Sequence, residues 1–350
     1  MNINTILLRL ILVSFLYLPL ATFANSDVAG RFDRSLKNLK SLANVQIEFI
    51  DTMTIRDTES LKVLRINKAE FSRAFQYTYL ASGSKYRASC KLVSANDDNV
   101  MFKKPFEAAF NGSSYATYSG DQSYMTLRKR DTQGDESVNR NNPLIAPFMF
   151  LTKCSGDPGC VLRFTDVISL EVSNQFIRST RNMSDGLLEV SLQNASTDIK
   201  HTKWKMVIDE KSDSFCPLTI TKSDSKSEYV YQLLDYTNLG SYQFPTRVEW
   251  TASSYPPTSP PRLLKQGTVI VTSASIPDQI ADSMFRLDSE EKAAKSVWDW
   301  DQRKYLRMDP GLVKIKAKNE TARNVLLIVI LFTTVVIPIV VAKKFASKNQ

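Results

Sequence analysis

The spacing of hydrophobic residues changes near residue 45. Before it, Val28, Phe32, Leu36, Leu39 and Leu42 recur at helical intervals behind Ser26 and Asp27, either of which can cap a helix. Arg31, Arg34, Lys37 and Lys40 occupy the opposite face, so one amphipathic helix is predicted. From Val45, Ile47 and Phe49 onward the period is two, which is the signature of strands with one buried face. Strands are predicted over Val45–Thr54, Ala69–Leu80, Lys85–Val93, Phe106–Phe110, Ser114–Ser119 and Ser123–Lys129. Asn111-Gly112 is a two-residue turn of the kind favoured in hairpins, so this stretch reads as an antiparallel meander. A middle section, Asn142–Lys153 and Thr165–Ile177, has irregular apolar spacing that fits short helices, the first opened by Asn142 with Pro143 in its first turn. Strands resume at Gly186–Gln193, Thr202–Ile208, Leu218–Lys222, Glu228–Tyr236, Phe244–Ala252 and Gly267–Ser273.

Several strands place aromatic residues on one face: Phe71, Phe75, Tyr77 and Tyr79, then Trp204 with Met206, then Tyr229 and Tyr231 with Leu233. Two arrangements satisfy this pattern. One is a sheet fully packed on helices. The other is a curved sheet whose apolar concave face is only partly filled, with room for an acyl chain or an apolar peptide. In the second arrangement Phe75, Tyr77, Tyr79, Phe106, Phe110, Trp204, Met206, Tyr229 and Tyr231 are the candidate binding residues. Ser254–Pro261 is too rich in proline for a strand interior and reads as an exposed connection between two strands.

The two ends of the chain are of another kind. Arg9, an apolar run from Leu10 to Leu20 and small residues around Ala24 form a signal peptide over residues 1–24, with cleavage expected after Ala24. Val325–Ala342 carries no charge and, at roughly 1.5 Å per residue, spans about 27 Å, close to the thickness of a bilayer core. It reads as a transmembrane helix, with residues 343–350 as a basic cytoplasmic tail and residues 301–324 as a juxtamembrane stalk. Residues 25–300 then form an extracytoplasmic domain on a single-pass protein.

The formal charge of +9 falls once Arg9 and the three tail lysines are set aside, which leaves a mildly basic domain. No Lys/Arg block with interleaved aromatics is present, so nucleic acid is not an expected partner. Four cysteines face an oxidising compartment. Cys154 and Cys160 bracket Ser-Gly-Asp-Pro-Gly, a turn that can bring them within bridging distance, and Cys90 with Cys216 follows by elimination. A single histidine, His201, disfavours acid-base and nucleophile-histidine schemes and a metal site. No phosphate-cradling glycine loop is visible, and Asp97-Asp98 and Glu290-Glu291 read as solvated turns. No cofactor, no metal and no enzymatic activity are expected. Four Asn-x-Ser/Thr triplets, at Asn111, Asn182, Asn194 and Asn319, have meaning only in a eukaryotic secretory pathway.

The order of elements, with four local motifs, resembles the half-barrel of the bacterial outer-membrane lipoprotein carriers, the LolA-like superfamily. Phe106-Glu-Ala-Ala-Phe-Asn-Gly-Ser-Ser-Tyr115 is similar to that superfamily's strand ending in an Asn-Gly or Asp-Gly turn and an aromatic. Val207-Ile-Asp-Glu-Lys211, with Pro217 soon after, resembles its strand-turn-strand with a proline opening the next strand. Asp235–Pro245 is similar to a later hairpin, and Ile276-Pro-Asp to Phe285 to its closing segment. The resemblance implies an α+β fold: a strongly curved antiparallel sheet, an unclosed half-barrel with helices against its concave face, followed here by one C-terminal transmembrane helix. It also implies a lipid or lipoprotein acyl chain as ligand, an envelope protein as a possible partner, and residence at the bacterial inner membrane with the domain on the periplasmic side. A branch of the superfamily senses envelope stress, so an interaction or sensing module with a fully packed sheet is the alternative. The chain departs from the pattern in its membrane anchor, which forbids free shuttling, and in Lys292-Ala-Ala-Lys295 where a glycine is expected.

Overall fold

Period-two alternation buries one side of a strand and leaves the other half-exposed, and the first strand shows it directly. In the computed structural model, which describes residues 28–98, 104–128, 142–151, 177–192, 203–255, 260–289 and 292–309, a helix α1 covers residues 28–40. It is followed by β1 (Asn44–Ile55), whose Val45, Ile47, Phe49 and Asp51 are buried while Gln46, Glu48 and Ile50 are half-buried. Asp57 then caps a short helix, α2 (Thr58–Val63), by accepting a hydrogen bond from Ser60 N at 2.8 Å. A first meander continues through β2 (Phe71–Ser82), β3 (Lys85–Ala95), β4 (Phe106–Phe110), β5 (Tyr115–Ser119) and β6 (Tyr124–Arg128). At the β4–β5 turn Asn111 Oδ1 accepts from Ser113 N at 3.0 Å and Ser114 N at 2.8 Å, and Gly112 takes φ +94°, a left-handed conformation that glycine adopts without strain.

A 3-10 segment, Pro143–Leu151, stands where the first middle helix is expected, with Asn142 Oδ1 accepting from Leu144 N at 3.1 Å. The second meander comprises β7 (Ile177–Asn182), β8 (Leu187–Leu192), β9 (Lys203–Asp209), β10 (Pro217–Ser223), β11 (Ser227–Leu239), β12 (Tyr242–Ser254) and β13 (Arg262–Ser275). The two meanders join where β1 pairs antiparallel with β13, from Gln46 opposite Ser275 to Ile55 opposite Lys265. After β13 the chain crosses the outer face to the far edge, where β14 (Ser296–Asp299) pairs with β6 and β15 (Lys304–Arg307) with β14. The resulting 15-stranded sheet runs β15-β14-β6-β5-β4-β3-β2-β1-β13-β12-β11-β10-β9-β8-β7. Among the described residues its ends do not pair with each other, and the sheet is curved but unclosed.

The main core lies on the concave face. Val28, Phe32, Leu36 and Leu39 of α1 and Leu144, Ile145 and Phe148 of the 3-10 segment pack against inward residues of β1–β4 and β8–β13. A second, smaller cluster lies on the outer face of β4–β6, where Leu287, Ala294 and Val297 of the returning segment cover Ala109, Ala116 and Met125. Glu107 fastens that segment. Its carboxylate lies 2.6 Å from Lys292 Nζ and 2.7 Å from Arg87. Burial pushes the Glu107 carboxyl up, but the hydrogen bonds and charges of Lys292 and Arg87 outweigh it and hold the group below its ordinary value.

Some elements differ from expectation. The β6–β14 pair is parallel, because β14 arrives by a long crossover rather than a hairpin. Ile177, placed at the end of a helix by its spacing, opens edge strand β7, and the charged tract after residue 288 contributes β14 and β15, which carry the sheet beyond residue 300. The pairing of Cys90 with Cys216 is corrected: neither is in a disulfide. Cys90 sits in β3 opposite Tyr77 and Phe106, whereas Cys216 precedes β10, with β2, β1, β13, β12 and β11 between them. Cys216 Sγ donates to Gln243 Oε1 at 3.2 Å, and burial pushes its thiol up to about 11, which disfavours the thiolate that exchange requires.

The signal peptide, the transmembrane helix and tail, Cys154, Cys160, His201 and residues 256–259 of the proline-rich connection lie outside the described residues. Among the described residues no helix is long and apolar enough to cross a membrane.

Candidate functional site

The inward positions of the strands form one continuous surface, and register determines which side chains share it. On the first meander Phe49 and Tyr77 stack at 4.9 Å, Phe75 meets Tyr77 edge-on at 6.3 Å, and Tyr79 stacks on Tyr86 at 6.2 Å. Tyr86 in turn touches Phe110 and Tyr115 at 6.1 and 6.5 Å. Phe75, Tyr77, Tyr79 and Phe106 are buried, and Phe110 is half-buried against the same core. On the second meander Trp204 and Met206 are buried and Tyr231 packs half-buried against the core, while Tyr229 is half-buried beside Lys265. The nine predicted residues therefore share one face in two groups, on β2–β4 and β9–β11, with β1, β13 and β12 between them.

The two ends of this face differ. At one end α1 and the 3-10 segment cover it. Phe32 meets Phe148 at 5.4 Å and Phe215 at 5.2 Å, both edge-on, and Phe148 stacks on Tyr242 at 6.4 Å. Most polar groups at this end find partners, Asn142 Nδ2 being the buried exception. The Tyr242 hydroxyl donates to Leu144 O at 2.5 Å, Arg31 donates to Asp209 O and Glu210 O at 2.9 and 2.7 Å, and Asn38 donates to Ser241 O at 2.8 Å.

The other end lies where β1, β10 and β12 finish and β2, β9, β11 and β13 begin. There the register runs Trp204, Lys222, Tyr229, Ala252, Lys265 across five strands, with Trp250 one inward position along β12. Lys222 Nζ lies 5.6 Å from the Trp204 ring, and Lys265 Nζ lies 5.8 Å from Tyr229 and 5.9 Å from Trp250. Arg73 on β2 covers Phe75 at 4.8 Å. Trp250 fits there because Gly267 faces it: a Cβ at that position would meet the indole ring at 2.6 Å and the Thr52 carbonyl.

Two depressions bounded by described residues lie off the concave surface. One of ≈ 320 Å³ is on the outer face over β1, β13, β12 and β11, lined by Thr52, Thr54, Gln232, Glu249 and Gln266 among others. Another, of ≈ 310 Å³, lies between α1 and the β9–β10 and β11–β12 turns, beside Arg34, Asn38, Asp213 and Gln243. Both are polar, and neither suits an acyl chain. Among the described residues no group of three or more His, Cys, Asp or Glu is placed to hold a metal.

Sequence reading missed both covers' aromatic contacts and the cations. Phe148 and Phe215 lie in segments without strand periodicity, so only tertiary contact reveals them. The cations did leave a signal: Arg73, Lys222 and Lys265 occupy inward positions of alternating strands, where an apolar residue is the norm.

No family model matches the chain, and no curated protein matches it. Among solved structures, one described as an outer membrane lipoprotein-sorting protein domain from Vibrio parahaemolyticus has 10% sequence identity and a TM-score of 0.41, covering 75% of this chain and 95% of its own. A LolA superfamily protein from Nitrosomonas europaea has 8% identity and a TM-score of 0.38, covering 73% and 96%. A DUF1329 family protein from Desulfovibrio piger has 10% identity and a TM-score of 0.40, covering 75% and 96%.

Proposed function

We propose that this chain is an extracytoplasmic binding domain, anchored at the bacterial inner membrane by its C-terminal segment, that holds an acyl chain of a lipid or lipoprotein on its concave sheet. The observation that carries the reading is the concave face itself. It is lined by aromatic and aliphatic residues from Tyr115 on β5 to Val190 on β8, and α1 and the 3-10 segment lie on it without joining any strand ladder. These covers are held by apolar packing and a few side-chain hydrogen bonds to carbonyls. An acyl chain entering beneath them exchanges one apolar contact for another, at about 0.8 kcal/mol per buried methylene, so displacement is close to balanced.

The test is native mass spectrometry of the full-length protein in neutral detergent, with uptake of a fluorescent acyl probe. Co-purified lipid and saturable uptake are the expected results. A protein free of lipid that takes up no probe overturns the proposal.

A second reading, an interaction or sensing module with a fully packed sheet, is favoured by the near-zero exposure of Phe75, Tyr79 and Met206. On that reading Tyr77→Asp lowers stability and leaves partner capture by the folded fraction unchanged. On the lipid reading it also abolishes probe uptake.

A further inference from the structure

The concave face ends in a row that a packed core does not require. Inward positions there mix aromatic and cationic side chains: Trp204, Lys222, Tyr229, then Lys265 beyond Ala252 and, adjoining, Trp250, with each lysine lying over one or two rings. Core positions elsewhere on the same strands are Ile220, Leu233, Val248 and Val269. The row lies at the end away from α1, and its lysines and Tyr229 are half-exposed.

A second, independent feature is an excess of donors. Trp204 and Trp250 are 4% and 7% exposed, yet neither indole Nε1 has a hydrogen-bond partner, and the buried Nε of Arg73 has none. A buried polar group left without a partner costs about 1–3 kcal/mol, so native structures keep such groups where something else meets them. These three groups at the open end are donors, so a ligand that meets them has to be an acceptor, seated outward of the buried Asp51 carboxylate one inward position further along β1.

The charge agrees. Arg73, Lys222 and Lys265 put three cations at inward positions of this end. Asp51, an inward acid, lies deeper in the sheet opposite Phe75 and Val269. Asp224, in the neighbouring turn, accepts from Lys226 N, Ser227 N and Ser227 Oγ and also lies within electrostatic reach of Lys222.

We infer that this end of the concave face reads the anionic headgroup of an amphiphile, a phosphate ester above all, whose acyl chains lie toward the apolar half of the sheet. The inference rests on the acyl-binding reading above and names its ligand class. Cations over aromatic faces with indole donors beside them suit phosphate oxygens, which accept several charge-assisted hydrogen bonds at once, and the ring faces accommodate the glycerol and first methylenes.

The experiment compares three fluorescent lipids with identical acyl chains, phosphatidic acid, phosphatidylcholine and diacylglycerol, on the full-length protein in neutral detergent. Phosphatidic acid is expected to bind about tenfold more tightly than phosphatidylcholine, in line with two charge-assisted contacts in a partly desolvated site. The double variant Lys222→Gln/Lys265→Gln is expected to reduce that preference to within about twofold while leaving diacylglycerol binding unchanged. Trp204→Phe, which keeps a ring and removes the donor, is expected to weaken both phospholipids about threefold more than diacylglycerol, with an unchanged thermal melt confirming the fold. Equal affinity for the two phospholipids overturns the inference, as does a preference that survives in the double variant. Diacylglycerol binding without any anion preference overturns this inference and leaves the acyl-binding proposal standing, whereas no binding of any lipid overturns both. Inorganic phosphate that quenches tryptophan fluorescence in a lysine-dependent way, with no lipid preference, assigns the site to the free ion and removes the amphiphile.

Discussion

The covered end and the open end of the concave sheet are built on the same strands with the same alternation, yet they spend their polar atoms differently. At the covered end Tyr242 finds Leu144 O and Arg31 finds Asp209 O and Glu210 O, and a single buried donor, Asn142 Nδ2, is left over among the described groups there. At the open end rings of similar burial, Trp204 and Trp250, keep unmet donors under a layer of cations. Burial alone therefore does not separate scaffold from recognition surface. What separates them is that at the open end several unmet donors cluster beside cations, because each unmet buried donor is a standing cost that one acceptor ligand can relieve together with the charge.

Truncating the covered end is the strongest way to break this comparison. Phe148→Ala removes the ring that stacks on Tyr242 and Phe215 and meets Phe32, and should lower unfolding free energy by about 3–5 kcal/mol in a denaturant titration. A loss under about 1 kcal/mol would show the cover to be loosely packed and the two ends alike.

Glu107→Gln tests a region off the concave face, the fastening of the returning segment. It should cost about 1–3 kcal/mol by leaving Lys292 and Arg87 with a weaker partner, and leave lipid uptake unchanged. The pH dependence has a definite sign. Because the folded-state value of Glu107 lies below the ordinary 4.5, its contribution is present in full above that value and is lost as pH falls through the lower folded value. The stability difference between wild type and variant should therefore shrink on acidification below pH 4.5, as read by parallel thermal melts.

Tyr242→Phe deletes the single hydroxyl that ties β12 to the 3-10 segment and should cost about 0.5–2 kcal/mol by leaving Leu144 O short of a donor. The smallest effect belongs to the open end: Lys222→Gln should change stability by under about 0.5 kcal/mol in the same titration, since the side chain is half-exposed. If Lys222→Gln proved as destabilising as Phe148→Ala, the open end would be structural after all.

Much of the fold was legible because alternation is a local property. β1 (Asn44–Ile55) answers to the predicted Val45–Thr54, and β4 (Phe106–Phe110) matches its prediction, since each strand has one face committed to the core. Edge strand β7 escaped for the same reason: Ile177–Asn182 leaves most of its residues outside the core, so its sequence has no side to alternate. β14 and β15 were hidden in a charged tract because Ser296–Asp299 becomes a strand only by pairing with the distant Tyr124–Leu127. The candidate site was half legible, since its aromatics follow the period of two while Lys222, Lys265 and Arg73 stood in the same register as apparent exceptions.

By itself, the sequence determined the helix over residues 28–40, the antiparallel hairpins, the inward placement of Phe75, Tyr77, Tyr79, Trp204 and Met206, and the turns at Asn111-Gly112 and before Pro217. All of these follow from spacing and local turn chemistry. Only the tertiary structure decided that β1 zips to β13, that five strands separate Cys90 on β3 from Cys216 before β10, that Phe148 and Phe215 close one end, and that cations and unmet indoles share the other. Those facts depend on which residues, distant in sequence, pairing brings to the same row of a sheet, and no local pattern encodes that.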